Sequence, residues 1–461
     1  MSLKKESYQL TIASELLKVN LNPEHELVIL ADRIDWDTLE YQLRKFFKKT
    51  GRQAKCVHLM VGLLLLKHLY NLSDRTVAGM LSENMYFKYF CGLHWQMSEW
   101  SKDKPLDPST ITKFRRRIGK EGMKIIEDLI KTQLYKEGRI SRKTQLVDTT
   151  AQEKNIAYPT DSNLLVRGMG RLKKKINELK AKGLSVGVRN FKRLIRKQVL
   201  RINKLGRGRR ERIAEATKNL IKYAQEVRYA AELAQNAIKK KVTKAQQATI
   251  DAIKEQLKQE SELVRRVIRQ AEAWINGEKL DVKEKVFSMH EPDSTVIAKG
   301  KRGKRYEFGA KVSLSADSNH FIVGHQEYTE NIADVKALDP AIEDWEKTFG
   351  DVPDELGADR GYHTKNFSDK ASRIKRLAIQ AKGRNPHPDH HKAYFKRLQR
   401  KRNIIEAVIG HLKTDHRMNR CRYKGTVGDT LNVGLAVTAW NLRKWVRQIK
   451  QEQEAMMAAA C

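Results

Sequence analysis

Three acidic residues, Asp148, Asp359 and Glu406, stand where they could bind metal ions. The runs KTQLVD and ELGAD each predict a strand with its acid at the end. Glu406 shares a polar stripe of an amphipathic helix, RNIIEAVIGHLKTDHR, with Arg402 and Lys413, because offsets of four and seven residues bring side chains onto one face. Carboxylates are ligands for Mg²⁺, and two such ions about 4 Å apart promote phosphodiester cleavage. The pattern predicts a metal-dependent centre for phosphodiester cleavage.

The helical stripe alone also fits a surface ion-pair ladder, since chains rich in Lys and Arg form such triplets by chance. The overall charge favours a metal-dependent centre over a surface ion-pair ladder. The chain of 461 residues has 91 Lys and Arg against 55 Asp and Glu, a formal net charge of +36. Such a charge predicts a polyanionic partner, with nucleic acid as the default and an anionic membrane surface as the alternative.

Other features narrow the class of protein. The longest apolar run, MVGLLLL, is too short to span a bilayer, and the N-terminus lacks the apolar stretch of a signal peptide. We therefore expect a cytoplasmic protein with no membrane partner. The four cysteines form no CxxC pair, which argues against a disulfide framework and a zinc site.

The elements that must position the acids predict a mixed α/β fold. After the strand that carries Asp148, YEFGAKVSLSAD and HFIVGHQEYT predict two further strands. A helix near 332–347, the strand before Asp359, a helix near 364–373, the strand RLAIQA and the helix of Glu406 follow in turn. This order predicts a mixed sheet interrupted, after its first strand, by a long helical insertion at 161–286.

Residues 1–141 predict helices with little strand signal. Ser73 is the expected N-cap of one short helix. Asp107 is the expected N-cap of another, with Pro108 as its first residue and Gly119 as its end. The face opposite its apolar residues carries Lys113, Arg116 and Arg117. Such helices suit a helix-turn-helix-like DNA reader, or else a plain helical domain with a solvated basic face.

The insertion predicts three amphipathic helices, near 170–204, 211–240 and 244–276, arranged as an antiparallel coiled-coil-like bundle. Between Arg167 and Arg212 there are 18 Lys or Arg and 2 acids, an imbalance that favours DNA contact over a solvated face. Three arginines in its basic turn are the candidate contacts: Arg207, Arg209 and Arg210.

The middle helix carries an apolar stripe that must pack against another helix, either a neighbour in the same chain or one in a second protomer. The stripe consists of Ile213, Leu220, Ala224, Val227, Ala231 and Ala234.

Three blocks of the sequence, QLVDTTAQEKNIAYPTDSNLL, GADRGY and RNIIEAVIGHLK, resemble the catalytic blocks of DDE transposases of bacterial insertion sequences. The resemblance is to the insertion-sequence-five-like group, whose N-terminal domain is similar to the segment from DRIDWDTLEYQLRKFF to MYFKYFCGL. It covers about residues 30–445. Relatives usually have tyrosine three residues before the arginine of the last block, where this chain has Gln399.

The resemblance implies a ribonuclease-H-like catalytic core, built from residues 142–160 and 287–450. An all-helical N-terminal DNA-binding domain would occupy residues 1–141, and residues 451–461 would form a C-terminal tail.

In such a core Asp148, Asp359 and Glu406 would be the catalytic, metal-binding triad, with two Mg²⁺ ions or Mn²⁺ instead. Lys413 and Arg402 would contact DNA near the scissile phosphate. The partners would be double-stranded DNA, as element ends and target, and a second protomer in a homodimer on DNA. The place of action would be the bacterial nucleoid.

The implied reaction is cleavage of the element's ends followed by joining of the freed 3′ hydroxyls to target DNA. Two alternatives remain at this point. One is a non-catalytic DNA-binding protein descended from a transposase. The other is an endonuclease that cuts without joining.

Overall fold

The protein forms two compact units in a computed structural model. The structure describes residues 2–3, 18–48, 53–93, 106–205, 209–238, 243–298, 306–383 and 386–460. The unit called here the sheet unit comprises residues 1–153 and 310–461, and the helical unit comprises residues 154–309. In these described stretches no helix is both long and apolar enough to cross a membrane.

The strands of the sheet unit follow the predicted order. β1 (Ser2–Leu3) and β2 (Gln53–Ala54) form a short parallel pair apart from the main sheet. The main sheet has the neighbour order β5-β3-β7-β8, with β6 paired to β5 and β9 paired to β3. Its strands are β3 (Thr144–Lys154), β5 (Tyr306–Ala316), β6 (Ile322–Tyr328), β7 (Glu355–Ala358), β8 (Arg376–Ile379) and β9 (Arg420–Cys421). β4 (Thr295–Ala298) pairs with residues 306–309 of β5.

The sheet unit also contains helices. They are α1 (Glu26–Arg33), α2 (Trp36–Leu43), α3 (Val57–Leu69), α4 (Asp74–Glu83), α5 (Met85–Phe90), α6 (Pro108–Lys136), α11 (Val335–Phe349), α12 (Asp369–Ser372), α13 (Ala393–Thr414) and α14 (Gly425–Ala460). Short 3₁₀ turns cover Arg44–Phe46 and Arg360–Tyr362.

The two faces of the sheet are packed by different helices because successive side chains on a strand point to opposite faces. Leu146 on β3 belongs to a cluster with Leu398 and Ile405 of α13. Its neighbour Val147 belongs to another cluster with Leu338 and Ile342 of α11. The next residue, Asp148, therefore has the parity that faces α13.

The N-terminal helices pack in the same unit as the sheet, so this boundary differs from the predicted separate domain at 1–141. α14 explains the difference, because its Leu435 and Trp445 share one buried cluster with α3, α6 and β6. Residues 451–460, predicted as a tail, continue α14 as helix.

The two helix N-caps predicted in the N-terminal region are confirmed, because the side chains of Ser73 and Asp107 each cap a helix. The prediction that Gly119 ends the helix that begins at Pro108 is confirmed. Gly119 adopts φ 55° and ψ −157°, which is not helical, so α6 consists of two helices joined by a kink at Gly119, and the second of them ends at Lys136. The apolar residues after the kink, Met123, Ile126 and Ile130, are buried and hold the second half in place.

The helical unit contains α7 (Asp161–Ala181), α8 (Lys192–Leu205), α9 (Arg210–Asn236) and α10 (Lys244–Asn276). The predicted single helix at 170–204 is two helices, because Gly183 takes φ 85° and its N–H bonds to the Lys180 carbonyl at the end of α7. α9 and α10 are antiparallel as predicted. Arg210 at the start of α9 contacts the Trp274 carbonyl at the end of α10.

The apolar stripe of α9 packs within its own unit. Leu220, Ala224 and Val227 are fully buried in a cluster with residues of α7 and α10. The neighbouring helices of the same chain are therefore the partners of the stripe, and the stripe does not offer a surface to a second protomer.

A buried charged network joins α6, β6 and α14 in the sheet unit. The His325 ring nitrogens lie 2.6 Å from a Glu327 carboxylate oxygen and 3.0 Å from a Glu127 carboxylate oxygen. Thr430 donates to the other Glu327 oxygen at 2.6 Å. Burial alone would lower the pKa of His325, but the two carboxylates outweigh it and raise the pKa well above 6.5. His325 is therefore a buried imidazolium at neutral pH.

We predict that His325→Gln lowers the free energy of unfolding by roughly 3 kcal/mol at neutral pH, because two buried carboxylates lose their cation. The folded-state pKa is raised, so this stabilisation is complete below pH 6.5 and is lost as the pH rises through the folded-state value. Urea denaturation of both proteins over a pH series measures the gap, which should narrow at alkaline pH.

The control is His411→Gln, which removes an exposed histidine paired with Asp415 at 2.8 Å. We expect a change below about 1 kcal/mol for this exposed pair. A gap for His325→Gln that stayed constant or widened at alkaline pH would contradict the assignment of a charged His325.

Candidate active site

Asp148 and Asp359 lie side by side because of the register of two parallel strands. β3 pairs with β7 so that Val147 is opposite Ala358, and each acid is the next residue in its strand direction. β7 ends at Ala358 as predicted, but β3 continues to Lys154, so Asp148 lies within its strand rather than at its end. β3 also has β5 and β9 as neighbours, and this pairing explains how the strand continues beyond β7.

Glu406 reaches this point from α13, which packs on the sheet through Leu398, Ile405 and Leu412. Gln399 on this helix donates to the Ala358 carbonyl at 3.3 Å and to the Ala378 carbonyl at 2.5 Å. The residue that departs from the family pattern thus ties α13 to the ends of β7 and β8. Because Ala358 directly precedes Asp359, Gln399 is a positioning residue, a role that the sequence pattern did not reveal.

Arg402 lies between the three acids. One guanidinium nitrogen, Nη2, is 3.1 Å from Asp148 Oδ2, 3.2 Å from Glu406 Oε1 and 3.8 Å from Asp359 Oδ2. The Asp148 and Arg402 side chains are each 11% exposed, whereas those of Asp359 and Glu406 are 50% and 66% exposed. The cluster is therefore buried on the Asp148 side and open to solvent on the Glu406 side. The predicted contact of Arg402 with a phosphate stays a prediction.

The environment of Asp148 disfavours its charge. The pKa of this carboxyl is raised to about 6, chiefly by burial and also by the neighbouring Asp359. Arg402 and the Thr149 N–H, which donates to Asp148 Oδ1 at 2.8 Å, act in the opposite direction. A carboxylate in this position is stabilised by any additional cation placed between the acids.

A fourth acid, Asp334, contacts the residue that follows Asp148 and was not singled out in the sequence. Thr149, directly after Asp148, donates its hydroxyl to Asp334 Oδ1 at 2.7 Å. Lys311 neutralises Asp334 at 2.7 Å. A Cβ on Gly361 would lie 2.4 Å from Asp334 Oδ2, so a larger residue in this turn after Asp359 would displace the Asp334 side chain. Asp334 stands at the start of α11, and the helix pattern there does not indicate its hydrogen bond with Thr149.

The donor set of the cluster fits a divalent metal. Three carboxylates directed at one cationic group provide the oxygen ligands and the negative charge that Mg²⁺ requires. In the described part of the chain, however, no three His, Cys, Asp or Glu side chains approach closely enough to form a metal site. The guanidinium of Arg402 stands at the point on which the acids converge, which accounts for their spacing.

The other predicted DNA contacts lie apart from this cluster in the chain. Lys413 is partly buried on α13, and Lys113, Arg116 and Arg117 are exposed on α6. Arg209 and Arg210 are exposed at the start of α9, where Arg210 also lies over the Trp274 ring at 5.8 Å. Arg207 falls outside the described residues.

Comparisons with known proteins identify the family of this chain. Residues 15–117 match a family described as Transposase domain (DUF772), and residues 364–446 match a Transposase DDE domain. The second match includes α13 with Glu406. The chain is also 32% identical over 194 residues to an uncharacterized protein, ORF8 in the nfe locus of Rhizobium meliloti, covering 41% of this chain and 89% of that protein. The chain belongs to the DDE transposases of insertion sequences.

Membership of this family assigns the chain the general function of a transposase. Transposase domains imply DNA binding, which agrees with the net charge of +36. Members of the family typically use divalent metals, which agrees with the carboxylate donor set. No solved structure gave a significant match to this transposase.

Proposed function

We propose that this transposase cuts the ends of its insertion sequence and joins the freed 3′ hydroxyls to target DNA. In the first step water attacks the phosphorus and the bond to the 3′ oxygen breaks. In the second step that 3′ hydroxyl attacks a target phosphate and displaces another 3′ oxygen. The observation that carries the proposal is the convergence of Asp148, Asp359 and Glu406 on one cation at a solvent-open edge of the sheet unit.

We propose that these three acids hold two Mg²⁺ ions, with Mn²⁺ as an alternative. When bound, the metal supplies Lewis-acid stabilisation of the charge that develops on the phosphate oxygens and activates the attacking oxygen. The protein's own part is to fix the acids in position, through the β3/β7 register and the attachment of α13 by Gln399. Lys413, on the same helix, would contact a phosphate beside the acids.

We further propose that the strands and helices around the acids form a ribonuclease-H-like core of the insertion-sequence-five-like group. The strand order, with an acid after β7 and another on α13, supports this. Lys113, Arg116 and Arg117 would bind DNA from α6, where all three are exposed. The place of action would be the bacterial nucleoid.

The helical unit is proposed to bind the element's ends through its basic surface. α8 exposes Arg193, Arg196 and Lys197 beside the basic turn that includes Arg209 and Arg210. A homodimer that holds two ends together remains part of the proposal, but its surface must lie elsewhere than the buried stripe of α9.

We predict that Asp148→Asn, Asp359→Asn and Glu406→Gln each slow cleavage at least about 100-fold while end binding stays near wild type, since charge is needed for metal rather than for remote phosphates. The assay incubates each protein with Mg²⁺ and duplex carrying the element's ends, and separates nicked from joined strands on denaturing gels. Asp389→Asn, which changes an acid paired with Lys392 instead, is the control.

The products in the same assay discriminate the alternatives. Nicks without joined strands from the wild-type protein would indicate an endonuclease. No product at all, with binding intact, would indicate a DNA-binding protein that has lost catalysis. Near wild-type cleavage by one of the three variants would remove that residue from the triad.

We predict that Arg402→Ala lowers the melting temperature in EDTA, because Asp148 loses its buried ion pair. Added Mg²⁺, or Ca²⁺ where cleavage must be avoided, should raise the melting temperature of this variant more than that of the wild type, since the guanidinium no longer competes for the acids. Differential scanning fluorimetry across a metal titration measures both effects.

Arg400→Ala, which removes an exposed arginine from the same helix, should behave like the wild type. An equal metal response in the wild type and Arg402→Ala would show that Arg402 and the metal do not occupy the same place.

A test of the helical unit replaces Arg193, Arg196 and Lys197 with Gln. We predict a loss of affinity for end DNA of about tenfold or more at 0.1 M salt, because several phosphate contacts are removed. The matched control replaces Lys175, Arg228 and Arg265, three cations of the same unit that already face carboxylates. Fluorescence anisotropy gives both constants, and equal losses would remove α8 from the DNA surface.

A further inference from the structure

A cavity of about 420 Å³ in the sheet unit is lined by positive charge from three separate parts of the chain. α3 and α4 supply Lys67 and Asp74, α6 supplies Arg115 and Arg116, and the segment between α13 and α14 supplies the remaining cations. Six Lys and Arg residues line it against one carboxylate: Lys67, Arg115, Arg116, Arg417, Arg422 and Lys424. None of these residues contacts the acid cluster described above.

The floor of the cavity consists of buried side chains that hold one another in place. Lys67 and Arg115 are 3% and 6% exposed and both contact the carboxylate of Asp74, at 2.6 Å and 3.3 Å. The Arg115 guanidinium lies 3.8 Å from the centre of the Tyr423 ring, and Lys67 Nζ lies 4.7 Å from it. These contacts fix two cations in place at little entropic cost to a ligand.

The charges of the floor are not balanced by the protein. The pKa of Lys67 is lowered to about 8, chiefly by burial and also by the cations Arg115 and Arg417, against the opposing effect of Asp74. Asp74 is therefore the one carboxylate in a lining that has two buried cations, Lys67 and Arg115, and a half-buried third cation, Arg417. An anion entering the cavity would relieve this repulsion.

The rim extends the basic face of α6. Arg116, Arg422 and Lys424 are exposed, and Arg116 lies on the same helical face as Lys113 and Arg117. The first turn of α14, with Val427 and Gly428 in the lining, adds the positive end of a long helix. The cavity thus stands at one end of an exposed basic surface.

From this arrangement we infer that the cavity binds a backbone phosphate of DNA, with Lys67 and Arg115 as the buried floor and Arg116, Arg422 and Lys424 as the rim. Continuity with the exposed face of α6 favours a phosphate that belongs to a polymer over a free anion. The inference rests on the proposed binding of DNA by this region and names where one phosphate is held. A duplex lying along α6 would then be anchored at a point formed jointly by N-terminal and C-terminal segments.

The test measures the salt dependence of binding to a fluorescent duplex of random sequence in EDTA, where no cleavage takes place. The variant Arg116→Gln/Arg422→Gln/Lys424→Gln changes only exposed rim residues. The control Lys370→Gln/Arg373→Gln/Lys375→Gln removes the same formal charge from exposed cations that face carboxylates. Melting temperatures confirm that both variants are folded.

We expect the slope of log K against log salt to become shallower by about one or more for the rim variant, because each neutralised phosphate contributes nearly one unit. The control should keep the wild-type slope. An unchanged slope for the rim variant, or an equal change in the control, would overturn the inference.

Two further arms separate the possible ligands and the two proposals. If calorimetry shows inorganic phosphate bound to the wild type but not to the rim variant while the duplex slope is unchanged, a free anion is the ligand and the inference fails. Asp148→Asn should keep the wild-type slope. If the wild-type protein never cuts DNA yet the rim variant loses slope, the proposed chemistry fails and the phosphate site stands.

Discussion

The parallel pairing of β3 with β7 is the constraint on which the site depends. With Val147 opposite Ala358, the following acids lie on the same edge and face the same helix. A shift of one residue in this register would turn one acid to the opposite face, towards α11. Gly357 keeps the arrangement tight, since a Cβ there would lie 3.0 Å from the Leu146 side chain and 3.4 Å from the Leu398 carbonyl of α13.

A second consequence of this packing is that the acids need a compensating positive charge. Bringing two carboxylates together at a half-buried edge is unfavourable unless a cation stands between them. Arg402 supplies one positive charge to three acids, so the cluster keeps an excess of negative charge that can attract a divalent ion. The same buried arginine therefore preserves the geometry of the acids and limits access to them.

Local patterns predicted the parts of the fold that depend on neighbouring residues. The caps at Ser73 and Asp107 and the strand ending before Asp359 were readable from spacing and residue type. The direction of the Arg402 side chain and the role of Asp334 could not be predicted from local patterns, because each depends on a partner far away in sequence. Arg402 and Asp148 are 254 positions apart, and Thr149 and Asp334 are 185 positions apart. The break at Gly183 was missed because the surrounding sequence keeps its amphipathic character through the turn.

The end of α13 connects the acid cluster to the cavity that is lined by Lys67 and Arg115. Beyond Glu406 this helix reaches Thr414, whose carbonyl accepts from Asn71 at 2.9 Å, and Arg417 donates to the Asn71 carbonyl at 2.9 Å. The adjacent His416 ring contacts the His68 carbonyl at 3.0 Å, next to Lys67 in the cavity floor. Because these contacts fix the helix of Glu406 to α3, a phosphate bound over Lys67 would keep a set distance from the acids. On this view the N-terminal helices set which phosphate of the duplex meets the acids, rather than acting as a tethered reader.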